Sequence, residues 1–183
     1  KGYAARQIML CGESAGGGLI CALCLKLKQL GMAMPAGLIA ISPWVDLTCS
    51  AKSYEFNREK DPSLSEELLR FYADCYTAGG TPKEEPLVSP LFGDLTGFPP
   101  SLLFAGGDEI LLDDARALQK KLVSCGCKST LRVAPERWHA YVLYCLNENM
   151  EDDMAAIDRF LSKNLSPARS LRWMRLDNAA KIY

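Results

Sequence analysis

The junction at residues 7–31 constrains this chain more than any other feature. A strand pattern runs through a glycine-flanked serine directly into a helix pattern. Gln7, Ile8, Met9, Leu10 and Cys11 read as a strand ending at Gly12. Beyond Gly12-Glu13-Ser14-Ala15-Gly16, residues Leu19, Ile20, Leu23, Cys24, Leu27 and Leu30 recur at helical spacing until Gly31 closes the segment. Further apolar runs at residues 37–43, 101–105 and 130–134 alternate with helical patterns, the signature of β-α-β units. The expected fold class is therefore α/β, a parallel sheet of about four strands with helices on both faces.

A second helix is expected to open at Asp113 and Asp114, which would cap it, to carry Ala117, Leu118, Leu122 and Val123, and to end at Gly126. Met150, Met154, Ile157 and Leu161 mark a third, with Glu151, Asp152 and Asp153 at the positive end of its dipole. The stretch 45–100 is too long for a plain crossover. It contains a helix over about 65–76, with a capping box predicted from Ser63 to Glu66. Insertions of this kind at strand ends shape a site more often than a core. Residues 1–165 read as one domain and 166–183 as a basic, weakly patterned surface tail.

A hydrophobic fraction of 49% fills a core, and 21 Lys and Arg against 22 Asp and Glu give a net charge of −1. That balance argues against nucleic acid or anionic lipid as a partner. No apolar run reaches the roughly 18 residues of a membrane span, and residues 1–6 do not read as a secretory signal, so a cytoplasmic location is expected. The eight cysteines are expected to be reduced and mostly buried. Cys21 and Cys24 match C-x-x-C, but zinc needs two further ligands and the chain has a single His, so core packing is the expected role.

Gly12-Glu13-Ser14-Ala15-Gly16 matches G-x-S-x-G in the context that motif demands, a strand before and a helix after. A serine on so sharp a turn sits in strained backbone, and Gly12 and Gly16 are expected to let strand and helix approach. The turn aims the Ala15 N–H, at the positive helix end, toward a developing oxyanion. A merely connecting or phosphate-binding turn is the alternative, but neither G-x-x-x-x-G-K-[ST] nor G-x-G-x-x-G occurs. A serine nucleophile needs a base, and His139, just after the fourth strand, is the only imidazole in the chain. The carboxylate that orients it must come from Asp108 or Glu109, which end the third strand; either could reach.

Together these residues resemble the hormone-sensitive-lipase branch of the α/β-hydrolases, a group of carboxylesterases and acetyl esterases. Similar stretches are Ser42-Pro43-Trp44-Val45-Asp46, Val88-Ser89-Pro90-Leu91-Phe92, Leu95-Thr96-Gly97-Phe98-Pro99-Pro100 and the run from Gly107 to Asp114. The resemblance implies hydrolysis of a small-molecule ester through an acyl-enzyme, with no cofactor or metal. It places Glu109 on the acid position, with Asp108 the alternative. Family members also carry a His-Gly-Gly-rich oxyanion loop before the serine turn, which has no match here. The chain is thus expected to be the C-terminal portion of a longer hydrolase, impaired alone, whose first strand pairs with the missing N-terminal half or another chain. A peptidase or thioesterase on the same fold is the enzymatic alternative, and a non-catalytic binding module the alternative of another class. Trp44, Phe56, Phe71, Tyr72 and Tyr76 are expected mainly as core packing, with a substrate-pocket wall the other possibility.

Overall fold

The structure, a computed structural model, describes residues 2–144 and 150–165. Four strands, β1 (Met9–Glu13), β2 (Gly37–Ile41), β3 (Ser101–Gly106) and β4 (Ser129–Ala134), form one parallel sheet in sequence order. Helices α1 (Ala15–Gln29) and α4 (Leu112–Ser124) make the crossovers from β1 to β2 and from β3 to β4. The long connection from β2 to β3 carries α2 (Ser53–Phe56) and α3 (Glu66–Tyr76), and α5 (Met150–Asn164) follows β4.

The alternation of side chains along the strands sorts the core into two layers. Leu38, Ala40 and Leu103 meet Cys21, Cys24 and Leu25 of α1 and Leu118 and Leu122 of α4 on one face. Ile39, Ile41, Leu102 and Phe104 meet Ile157, Phe160 and Leu161 of α5 on the other. β2 and β3, buried along their whole length, are continuous apolar runs because both faces are covered. Each fully buried Leu or Phe here contributes about 1.5–3 kcal/mol. The helices do lie on both faces of a four-stranded parallel sheet, as the apolar pattern predicts.

Several local expectations are corrected. The first strand begins at Met9, because residues 5–7 form a turn of 3₁₀-helix closed by the Gln7 side chain on the Ala4 amide. β2 stops at Ile41, since Ser42 turns to φ 47° and Pro43 has no N–H to offer a ladder. No Ser63–Glu66 box forms: the cap of α3 is Ser65, whose Oγ accepts from Leu68 N at 3.2 Å, while the Ser63 hydroxyl donates to Asp61 Oδ1. Asp113 and Asp114 sit inside the first turn of α4 and neither caps it. Asp113 pairs with Arg116, and the buried Asp114 accepts from the amides of Val45 and Asp46 across the sheet rim.

Among the described residues all cysteines are free; Cys21, Cys24 and Cys49 are buried, whereas Cys11 and Cys75 are exposed. Burial in the apolar layer pushes the Cys21 and Cys24 thiols up to about 12, which keeps them as neutral packing groups. Cys11 lies on β1, which among the described residues is an edge strand of the sheet. Among the described residues no helix is long and apolar enough to cross a membrane. The predicted tail, 166–183, and Cys145 lie outside the described residues.

Candidate active site

The strand-to-helix turn has the strain its motif requires. Ser14 lies at φ 53°, ψ −123°, a conformation costing about 1–3 kcal/mol for a residue with a Cβ. Four main-chain bonds hold it there: Ser14 N donates to Ile41 O at 2.9 Å, and Ser14 O accepts from Trp44 N at 2.9 Å, from Gly17 N at 2.9 Å and from Gly18 N at 3.4 Å. Gly12 is needed as expected, since a Cβ there would overlap the Gly16 carbonyl. Gly16 is not needed for space: a Cβ there meets nothing within 4 Å. The close approach falls instead at Gly17 and Gly18, where a side chain would strike Pro43 and the Trp44 carbonyl. Ala15 is the first residue of α1, so its N–H has no partner within the helix and points from the positive helix end.

The loops that carry the candidate acids and the candidate base meet at the same ends of the strands. His139 is buried, with Nδ1 3.9 Å from Glu109 Oε2 and Nε2 3.1 Å from Oε1 of Glu13, the residue immediately before Ser14. Of the two candidate acids the fold brings Glu109 to the imidazole, fully buried, and turns Asp108 outward, where its carboxylate lies 3.3 Å from Lys60 Nζ. Gly106 lets the loops close, because a Cβ there would overlap the Arg137 carbonyl, and Asp108 N donates to that carbonyl at 2.9 Å. Burial pushes Glu109 up to about 8, and its hydrogen bond from Ser42 opposes the shift. Burial lowers His139, with Glu13 and Asp61 opposing. Backbone strain concentrates on this rim: Ser14, Ser42, Glu136 and Ala140 all take positive φ at or after strand ends.

Residues 1–143 match the family described as an alpha/beta hydrolase fold. The chain belongs to that family. An acetyl-hydrolase of Streptomyces hygroscopicus is 40% identical over 138 residues, covering 75% of this chain and 46% of the relative. An esterase of Acinetobacter venetianus is 37% identical over 144 residues, 79% of this chain and 48% of the relative. A solved esterase from the bacterial hormone-sensitive lipase family superposes with a TM-score of 0.86 at 37% identity, over 90% of this chain and 56% of that one. The resemblance to the hormone-sensitive-lipase branch is borne out. The chain spans about half the length of the curated relatives it matches.

In this α/β-hydrolase the long β2–β3 connection braces the loop that carries Glu109. Asn57 Nδ2 donates to the carbonyls of Gly107 and Glu109, Ser53 Oγ donates to Ile110 O, and Asp61 Oδ2 accepts from Ile110 N. Ile110 and Leu111 pack into a separate apolar cluster with Trp44, Leu47, Tyr54, Leu69 and Ala73. Beside Ala15 opens an apolar pocket of about 240 Å³, walled by residues that include Leu19, Trp44, Tyr72, Tyr76 and Val88. The aromatic residues thus divide. Trp44 is both core and wall, Tyr72 and Tyr76 are wall, and Phe56 and Phe71 are exposed outside it. Sequence reading did not single out Ser42, Asn57, Asp61 or Gly106. Only Ser42, at the head of one of the family-like stretches, left a signal that could have been followed.

Proposed function

We propose that the whole protein is a serine carboxylesterase that cleaves short-chain esters through an acyl-enzyme. His139 takes the proton from Ser14 Oγ as that oxygen attacks the ester carbonyl, and the Ala15 N–H steadies the oxyanion. The imidazolium returns its proton to the leaving alcohol, and water, activated by the same imidazole, releases the acid. Glu109 is the acid that orients His139, with the Asp108 carboxylate engaged by Lys60 instead. Formation of the imidazolium 3.9 Å away draws Glu109 toward its ionised form, offsetting its burial. For attack, Nε2 must exchange Glu13 for Ser14. The sequence needs no cofactor or metal.

The observation that carries this reading is the convergence of a strained Ser14, the sole His and a fully buried Glu109 at one rim of the sheet. The apolar pocket beside Ala15 supports a short acyl chain as the group it receives. Among the described residues β1 is hydrogen-bonded on its β2 side alone. We place further strands of the whole protein, or another chain, along that free edge. Hydrolysis of p-nitrophenyl acetate and butyrate by the full-length protein tests the reading, with Ser14→Ala expected to lower kcat by about 10⁴ or more. Undiminished turnover in that variant would falsify it. Absence of labelling by a fluorophosphonate would leave a binding module in its place.

A further inference from the structure

Ser42 stands at a junction the triad does not account for. It is wholly buried, at φ 47°, between the end of β2 and Pro43. A residue before proline is already restricted, and a positive φ adds a cost that glycine would avoid. The chain nonetheless places a hydroxyl there. Its Oγ donates to Glu109 Oε2 at 2.6 Å and accepts from Ala140 N, the amide next to His139, at 2.9 Å. One hydroxyl therefore touches the acid loop and the base loop at once, from a third strand end. Its own amide is anchored to Phe104 O at 2.8 Å, so the group rests on the rigid centre of the sheet.

We propose that Ser42 is a positioning residue for the hydrolytic reaction, a buried hydroxyl strut that sets the Glu109 carboxylate and the His139 loop in register with each other. The proposal rests on His139 acting as the base. Glu109 Oε1 and His139 Nδ1 have no hydrogen-bond partner in the resting arrangement, so the Ser42 hydroxyl is what ties the two loops together through side-chain chemistry. As a donor it favours the ionised form of Glu109, which burial and, less strongly, Asp61 and Asp114 disfavour. Glu109, Glu13 and Asp61 are the carboxylates that bear on the imidazole.

The test uses Ser42→Gly and Ser42→Ala. Glycine relieves the positive φ while deleting the hydroxyl, so it separates backbone strain from positioning and guards against a variant that fails to fold. Both are expected to lower kcat about ten- to a hundredfold, the rate equivalent of one hydrogen bond to a charged group, with KM unchanged. The chain has one His, so a single imidazole resonance reports the site. Its chemical shift and titration midpoint are expected to move in both variants, because losing the Ser42 bridge between Glu109 and the Ala140 amide changes how the imidazole sits against that carboxyl. An unmoved imidazole titration in Ser42→Gly overturns the proposal, as does parental kcat in an enzyme that Ser14→Ala inactivates. If the parent does not hydrolyse esters at all, the serine-hydrolase reading fails, and the imidazole titration alone decides the role of Ser42.

Discussion

The two connections that flank β2 place functional groups by opposite means. The short one, through α1, presents Ser14 with main-chain geometry alone: a strained turn, four backbone hydrogen bonds, and glycines that let α1 lie against β1 and the 43–44 turn. The long one, residues 42–100, holds the loop of Glu109, the proposed acid, with side chains. Ser42, Ser53, Asn57 and Asp61 all bond to residues between Gly107 and Ile110. Backbone positioning needs little more than a local pattern. Side-chain positioning needs partners about fifty residues apart to be buried together, and each such polar group costs stability if its partner is lost.

Substitutions can break that contrast from either side. The largest effect on folding is expected on the backbone side. Gly12→Ala drives a Cβ into the Gly16 carbonyl and should cost about 3 kcal/mol or more in urea unfolding. Gly16→Ala, with open space at the same turn, should instead gain about 0.5–1 kcal/mol. Equal effects would mean that close approach is not what the motif's glycines serve.

On the side-chain side, Asn57→Ala strips the donor from two carbonyls of the acid loop and should cost about 2 kcal/mol, with kcat falling as Glu109 loosens. A variant with parental stability and kcat would show that the insertion does not hold the acid. Asp114 tests the same connection through pH. Burial pushes it up to about 8, so the folded chain keeps a proton that the unfolded chain surrenders near pH 4. Its contribution is complete below pH 4 and is lost as pH rises through about 8. Asp114→Asn retains an acceptor for Val45 N and Asp46 N and removes that titration. The decline in unfolding free energy between pH 4 and 8, read from urea titrations, should become shallower in this variant. An unchanged slope refutes the assignment.

The smallest effect belongs to Glu13, half-exposed between the two systems. Glu13→Gln removes the negative charge 3.1 Å from His139 Nε2, a charge that raises the imidazole's proton affinity. The ascending limb of kcat/KM against pH, where the base becomes neutral, should move to lower pH by less than about one unit, since solvent screens a side chain this open. Movement to higher pH would contradict the contact.

The chain's order of residues alone determined the parallel α/β architecture, the strained serine turn and the nomination of the sole His. Each of these is written in short-range periodicity or in a motif whose geometry is local. The choice of Glu109 over Asp108 came only as an implication of family resemblance, because neighbouring residues at a strand end point to opposite sides and either could have faced the imidazole. Folding alone decided which one turns inward, and that the hydroxyl of Ser42 and the amide of Asn57 would meet the acid loop. It also decided that the tight glycine contacts fall at Gly17 and Gly18, and that Asp114 bridges to residues 45 and 46 in place of capping α4. Those outcomes depend on which distant segments the sheet brings within about 3 Å, and no periodicity along the chain encodes a distance between positions 42 and 109.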